Sequence, residues 1–160
     1  PSDLNLLALH IRALNLVPPL YTPAVTPLGK RLLLHVKHLM HTGDELPKVS
    51  PDTAMNKVLY EISNKRLGLT TIVDDNDHLL GIFTDGDLRR LIDKQQGFDV
   101  NLAVSDVMIK SPLTISPEAR AVEALERMNE KKINQFVVVD ESNKVIGVLS
   151  MHDLIQAGVN

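Results

Sequence analysis

Apolar side chains recur at helical spacing twice along the chain, at Met55, Val58, Leu59 and Ile62 and again at Ala121, Ala124, Leu125 and Met128. The spacing i, i+3, i+4, i+7 puts each set on one face of a helix. Ahead of the stripes stand Ser50-Pro51-Asp52-Thr53 and Ser116-Pro117-Glu118, which read as caps with a proline suited to a first helical turn. A short strand over residues 46–49 leads into the first stripe. Behind the stripes, Leu69–Val73 and Gln135–Val139 read as buried strands closed by the polar turns Asp74-Asp75-Asn76-Asp77 and Asp140-Glu141-Ser142-Asn143. A second strand comes after each turn, Leu79–Thr84 and Val145–Ser150, and runs into a helix over residues 85–95 or 151–157. Leu32, Leu33, Val36, Leu39 and Met40 predict a short helix or turn before the first unit.

The two halves are one pattern written twice, 66 positions apart and without a gap. Identical pairs include Ser50/Ser116, Pro51/Pro117, Leu59/Leu125, Lys65/Lys131, Asp74/Asp140, Gly81/Gly147, Asp87/Asp153 and Leu88/Leu154. Such self-similarity is the mark of a repeat architecture. The fold class is α/β (α+β), two β-α-β-β-α repeats packed as a pseudo-twofold pair, with a right-handed first crossover in each. A unit of roughly 60 residues buries only about 60% of its unfolded surface, so neither repeat is expected to stand alone. The boundaries are a first repeat with its lead-in at 28–95, a linker at 96–104 and a second repeat at 105–160. Residues 1–27 form a flanking arm. Leu4, Leu7, Ile11 and Leu14 have helical spacing there, but Pro18, Pro19, Pro23 and Pro27 interrupt any helix beyond Val17, leaving either the remnant of a preceding domain or sequence foreign to the repeats.

Composition narrows the function classes. A net charge of -3, with three Phe, two Tyr and no Trp, supplies neither the basic field nor the stacking platforms of a nucleic-acid binder. The absence of cysteine removes disulfides and thiolate metal sites and suits a cytoplasmic setting. No apolar run approaches the roughly 20 residues of a membrane span. His35, His38 and His41 lie three apart near Asp44, but that step drifts around a helix, and no metal site is expected. No nucleophilic triad and no Gly-x-x-x-x-Gly-Lys loop can be assembled, so no catalytic residue is assigned. Met55 and Met128 belong to the core stripes, while Met40 and Met108 are expected to cover the interface of the repeats.

The chemistry concentrates where a strand runs into a helix. Thr84-x-x-Asp87 and Ser150-x-x-Asp153 each read as a capping box, in which hydroxyl and carboxylate satisfy helix amides. The same groups suit a ligand: free amides and a hydroxyl attract phosphate, and a carboxylate accepts from two vicinal ribose hydroxyls. Arg89 and Arg90 add phosphate-gripping guanidinium groups at the first site, and His152 can assist at the second. The candidate ligand-binding residues are therefore Thr84, Asp87, Arg89, Arg90, Ser150, His152 and Asp153.

The twice-repeated ending, glycine, two apolar residues, Thr or Ser, two variable positions and Asp, resembles the cystathionine-β-synthase (CBS) domain over residues 36–158. That resemblance implies a disc-like pair with two clefts for adenosine nucleotides or related ligands, Thr84 and Asp87 lining one, Ser150 and Asp153 the other. Thr71 and Val137 stand where many CBS repeats have proline, which sets the base pocket apart. Leu28-Gly29-Lys30-Arg31-Leu32-Leu33-Leu34, Met40-His41-Thr42-Gly43-Asp44-Glu45-Leu46-Pro47, the run 84–90 and the run 151–158 resemble more narrowly the C-terminal half of bacterial D-arabinose-5-phosphate isomerases. In that family a sugar-isomerase domain precedes the CBS pair and interconverts ribulose 5-phosphate and arabinose 5-phosphate on the way to Kdo and lipopolysaccharide. Ala24-Val25-Thr26-Pro27 stand where the family has His-Pro-Gly-Gly, so the chain alone is not expected to be an enzyme. The resemblance implies a regulatory pair that needs no cofactor, senses AMP, ATP or CMP-Kdo, and forms a homodimer through its CBS pairs, with a sugar-isomerase domain as its partner and neither nucleic acid nor membrane bound. The other reading is a purely structural dimerisation pair that binds nothing.

Overall fold

The apolar stripes form helices, and each packs on a sheet assembled partly from the other half of the chain. The structure, a computed structural model, describes residues 33–95 and 99–160; the flanking arm and residues 96–98 of the linker lie outside that range. In order the elements are α1 (Val36–Leu39), a 3-10 turn (Gly43–Glu45), β1 (Lys48–Val49), α2 (Met55–Lys65), β2 (Leu69–Val73), β3 (Leu79–Thr84) and α3 (Asp85–Gln95). A 3-10 turn (Val104–Asp106) and β4 (Ile109–Lys110) lead to β5 (Thr114–Ile115), α4 (Ala121–Lys131), β6 (Gln135–Val139), β7 (Val145–Ser150) and α5 (Met151–Gln156). The mixed α/β class with its doubled β-α-β-β-α order is as the period predicts.

In the first sheet, ordered β1-β2-β3-β4, β1 runs parallel to β2 and the remaining pairs are antiparallel. In the second, β5 is parallel to β6 and β6 antiparallel to β7. Even the irregularity repeats, with a register shift at Ile72/Val73 and again at Val138/Val139. β2 is buried at every position, threonines included. Thr71 donates both its amide and its hydroxyl to the Pro47 carbonyl, at 3.1 and 2.7 Å. A proline there would have no N–H to give, which accounts physically for the residue at this position.

The lead-in of each repeat belongs to the other one. β4, from the chain entering the second repeat, pairs with β3 of the first, Ile82 opposite Ile109. Reciprocally, His41 from the entry to the first repeat exchanges two backbone bonds with Val148 of β7, at 2.9 and 3.1 Å. Val36 is fully buried among Ala121, Ala124, Met128, Phe136 and Leu149, and Val104 among Met55, Val58, Ile62 and Phe83. Met40 and Met108 follow the same crossing. Both lie where one repeat meets the other, as expected, Met108 packing beside Gly81 and Met40 beside Gly147.

This crossing also corrects the helix starts. Neither serine-proline segment caps its helix: α2 begins after Ala54 and α4 after Arg120, with no side-chain cap at either. Ser50–Thr53 instead closes a turn of its own, Thr53 N–H donating to the Ser50 carbonyl. The exposed amides of α2 are met by backbone, Met55 donating to Leu102 O at 3.0 Å and Asn56 to Val100 O at 3.1 Å. Ala121 donates likewise to Leu34 O at 2.9 Å. First-turn amides need acceptors from outside the helix, and here the exchanged segments supply them.

Between the repeats the hairpins meet tip to tip. Leu79 N–H donates to Asn143 O and Val145 N–H to Asp77 O, at 3.0 and 2.9 Å. Leu69, Val73, Leu79, Val137, Val145 and Val148 form the apolar seam.

Candidate functional site

Both strand-to-helix junctions close as reciprocal capping boxes. Thr84 N–H donates to Asp87 Oδ2 at 3.0 Å while Asp87 N–H donates to Thr84 Oγ1 at 3.1 Å. At the second junction Ser150 N–H donates to Asp153 Oδ2 at 2.9 Å and Asp153 N–H to Ser150 Oγ at 3.1 Å, with the serine hydroxyl adding a 2.7 Å bond to the same carboxylate oxygen. Each carboxylate thus spends one oxygen on its own helix start.

The other oxygen meets a side-chain nitrogen, and the two sites differ in where that nitrogen comes from. Asp87 Oδ1 accepts from Arg90 Nη2 at 2.6 Å, one turn along the same helix. Asp153 Oδ1 lies 2.9 Å from His41 Nε2, a residue 112 positions away in the lead-in. His41 Nδ1 faces Glu45 Oε2 at 3.3 Å. Burial pushes the Asp153 pKa up, but hydrogen bonds from the Ser150 side chain and backbone and from His41, together with the His41 charge, outweigh it and hold the carboxyl below its ordinary value.

Each junction opens into a cleft walled by both repeats. The first, about 630 Å³, is lined by Thr84, Asp85, Gly86 and Arg90 on one side and by Lys132, Ile133, Asn134 and Gln135 on the other. The second, about 570 Å³, is lined by Ser150, His152 and Asp153 together with Ser63, Arg66, Leu67 and Gly68 of the first repeat and His41 of the lead-in. Asp85, Gly68 and Gln135 line both, and Gln135 Nε2 donates to Leu67 O at 3.3 Å between them. A further hollow of about 610 Å³ lies between Thr114–Glu118 and Val139–Ser142, at the far end of the second sheet from its capping box. There Arg127 is already engaged, donating to Thr114 O and lying over the Phe136 ring.

Of the residues singled out in the sequence, Thr84, Arg90, Ser150, His152 and Asp153 face the clefts. Asp87 sits behind Arg90, with a side chain only 10% exposed. Arg89 is exposed and lies outside the lining, because successive helical positions point about 100° apart and the face that reaches the cleft is taken by Arg90. Arg66 and Lys132 line the clefts without standing out in the sequence. These occupy the left-handed position ending α2 and α4, with φ of 61° and 56°, and they are repeat equivalents that are both basic. Aligning the repeats at that position is the signal that finds them. His41 is singled out in the sequence as a metal candidate and within the run 40–47, not as a cleft residue. Among the described residues no metal-binding cluster forms: His38 Nδ1 accepts from the His35 amide, and His41 turns to the carboxylates.

The fold and the paired junctions define a class, and comparison with known proteins agrees. The CBS domain family model matches residues 36–94 and 104–160, and the chain belongs to that family. It is 46% identical over 133 residues to the arabinose 5-phosphate isomerase KdsD of Yersinia pestis and 47% identical to that of Escherichia coli K12, matches that cover 82% of this chain. The chain spans 40% of the length of those relatives. Among solved structures, CBSX2 in complex with AMP has a TM-score of 0.66 at 27% identity, over 78% of this chain and 96% of that one. A conserved protein from Pyrococcus horikoshii superposes with a TM-score of 0.70 at 22% identity, over 81% and 95%, a likeness of fold.

Proposed function

We propose that the chain is the ligand-sensing CBS pair of an arabinose-5-phosphate isomerase, binding a ribonucleotide in its clefts and passing that occupancy to a sugar-isomerase domain of the parent protein. The observation that carries this reading is the composite make-up of the clefts. In the second cleft the Ser150 hydroxyl and Asp153 carboxylate share the lining with Arg66 of the other repeat, and in the first the Thr84 hydroxyl and Asp85 carboxylate share it with Lys132. A carboxylate suits a ribose diol and the cations suit phosphate, so a ligand with both groups bridges the repeats. AMP is the first candidate, since the relative at 27% identity was solved with AMP. CMP-Kdo shares the ribose and phosphate and is supported only by the pathway that the isomerase resemblance implies. The setting is the cytoplasmic synthesis of Kdo for lipopolysaccharide, the chain itself performs no isomerisation, and two CBS pairs associate as a homodimer. Among the described residues no helix is long and apolar enough to cross a membrane.

Calorimetry against AMP, ATP and CMP-Kdo tests the reading; saturable heat with at least one of them is expected. An assay with ribulose 5-phosphate is expected to give no turnover by this chain. The structural alternative also has an observation in its favour: both capping boxes are internally satisfied without a ligand. A panel giving no heat, with light scattering still reporting a dimer, would leave that alternative standing.

A further inference from the structure

His41 holds a place that its counterpart in the other half of the molecule cannot fill. Its backbone pairs with Val148, and the repeat equivalent of Val148 is Ile82, whose partner is Ile109. Ile109 has no polar side-chain atom to offer Asp87, which is served by Arg90 from its own helix instead. In the second cleft the carboxylate is therefore held from outside its repeat, by the segment through which the chain enters the pair. The ring is partly buried, with a side chain 27% exposed, and its two nitrogens face carboxylate oxygens of Asp153 and Glu45. Both bonds are made in full only when both nitrogens carry a proton. His41 also stands between two hollows, the second cleft and a neighbouring one of about 420 Å³, and lines both.

The segment that carries His41 has several other ties. Val36 is buried in the second repeat's core, Lys37 pairs with Glu118 at 3.1 Å, and Lys65 Nζ donates to the Asp44 carbonyl. Of these ties the His41–Asp153 bond alone reaches the group expected to accept a ribose.

We propose that His41 is the positioning residue of the second cleft: it orients the Asp153 carboxylate for a ribose diol, so that a nucleotide bound there and the docked state of the entering segment stabilise each other. The inference rests on the nucleotide-sensing reading above and adds to it the route of coupling. Thermodynamic reciprocity gives it two faces. Loosening His41 weakens the ligand, and binding the ligand tightens residues 36–46. The first cleft lacks this connection, so the two clefts play unequal parts.

The test uses the whole chain and AMP. Titration followed at the backbone amides of Ser150 and Asp153 reports the second cleft, and at Thr84 and Asp87 the first. Hydrogen exchange over residues 36–46 reports the segment. His41→Ile copies the residue that the first repeat accepts in the same register and so preserves the strand pairing. It should weaken AMP about tenfold at the second cleft, the scale of one charge-assisted contact, and leave the first within about twofold. It should also erase the AMP-induced protection of residues 36–46. His41→Gln, which can still donate to Asp153, should restore part of both effects. Glu45→Gln, changing an exposed residue that touches only the ring's far side, gives a second handle, with a weakening of about two- to threefold. Equal losses in both clefts, AMP binding confined to the first cleft, or protection that persists in His41→Ile each overturn the inference. So does AMP bound by the parent and by His41→Ile alike, an outcome that leaves the nucleotide reading standing; a parent chain that binds no AMP in either cleft removes both.

Discussion

The sulfur of Met108 lies 2.7 Å from where a Cβ on Gly81 would sit, and the Ile109 carbonyl is equally close. Glycine opens the repeated ending because the exchanged lead-in strand presses on it. At Gly147 the opposing atoms belong to the Met40 side chain, with Sδ at 2.5 Å and Cβ at 3.1 Å. Both Ala substitutions should destabilise, but unequally. A backbone oxygen cannot swing aside as a thioether can, so Gly81→Ala is expected to cost about 1–3 kcal/mol and Gly147→Ala less. Denaturant midpoints of the two variants check the order, and a reversed order would refute this account.

The Asp153 carboxyl gives the fold an acid limit. Its pKa in the folded chain lies below the ordinary value of 3.8, so the deprotonated form is the one the fold favours. That contribution is fully present above the unfolded value and is lost as pH falls through the folded one. Thermal melts should therefore show a stability drop beginning below about pH 4, and Asp153→Asn, less stable at neutral pH, should lose less across the same window. Parallel slopes for parent and variant would show that other carboxylates set the limit.

Ser150→Ala removes the cap acceptor for the Asp153 amide and one donor to its carboxylate. A loss of about 0.5–2 kcal/mol is expected, measured by chemical denaturation. Thr84→Ala, which removes only the acceptor for the Asp87 amide, should fall toward the lower part of that range.

In the first cleft Arg90 donates to the Asp87 oxygen that is free of the cap, as His41 faces the equivalent oxygen of Asp153. Truncating Arg90 removes a phosphate partner and the donor that orients the carboxylate, whereas Asp87→Ala removes the diol acceptor itself. Asp87→Ala should weaken AMP at the first cleft about ten- to a hundredfold, and Arg90→Ala by less. Calorimetry of both variants, with melts to establish folding, decides between this and a site in which the two residues only cap α3.

Much of the architecture is legible in the sequence because it is periodic. Met55, Val58 and Ile62 are buried at the positions the stripe assigns, as are Ala121, Ala124 and Met128. The capping boxes are legible because their partners lie three positions apart. The features that escape are carried by distance along the chain. Ser50 and Ser116 look like helix caps, yet Leu102 and Leu34 deliver the acceptors from the other half of the molecule. His41 reaches Asp153 across 112 positions, and no local spacing encodes that. Arg89 and Arg90 are indistinguishable as a dipeptide until the helix phase separates them.

The exchanged lead-ins have a consequence for how the chain can be cut. A lone repeat lacks the acceptors for its helix start and leaves the outer edge of its glycine strand open, and the other half holds both missing pieces. The two halves are thus arm-swapped partners held in one chain. Cutting the tether at 96–98 and mixing fragments 1–95 and 99–160 should rebuild the native circular dichroism spectrum, while either fragment alone should fail to melt cooperatively as a monomer. Covalent linkage then supplies effective concentration and leaves the shape to the two arms.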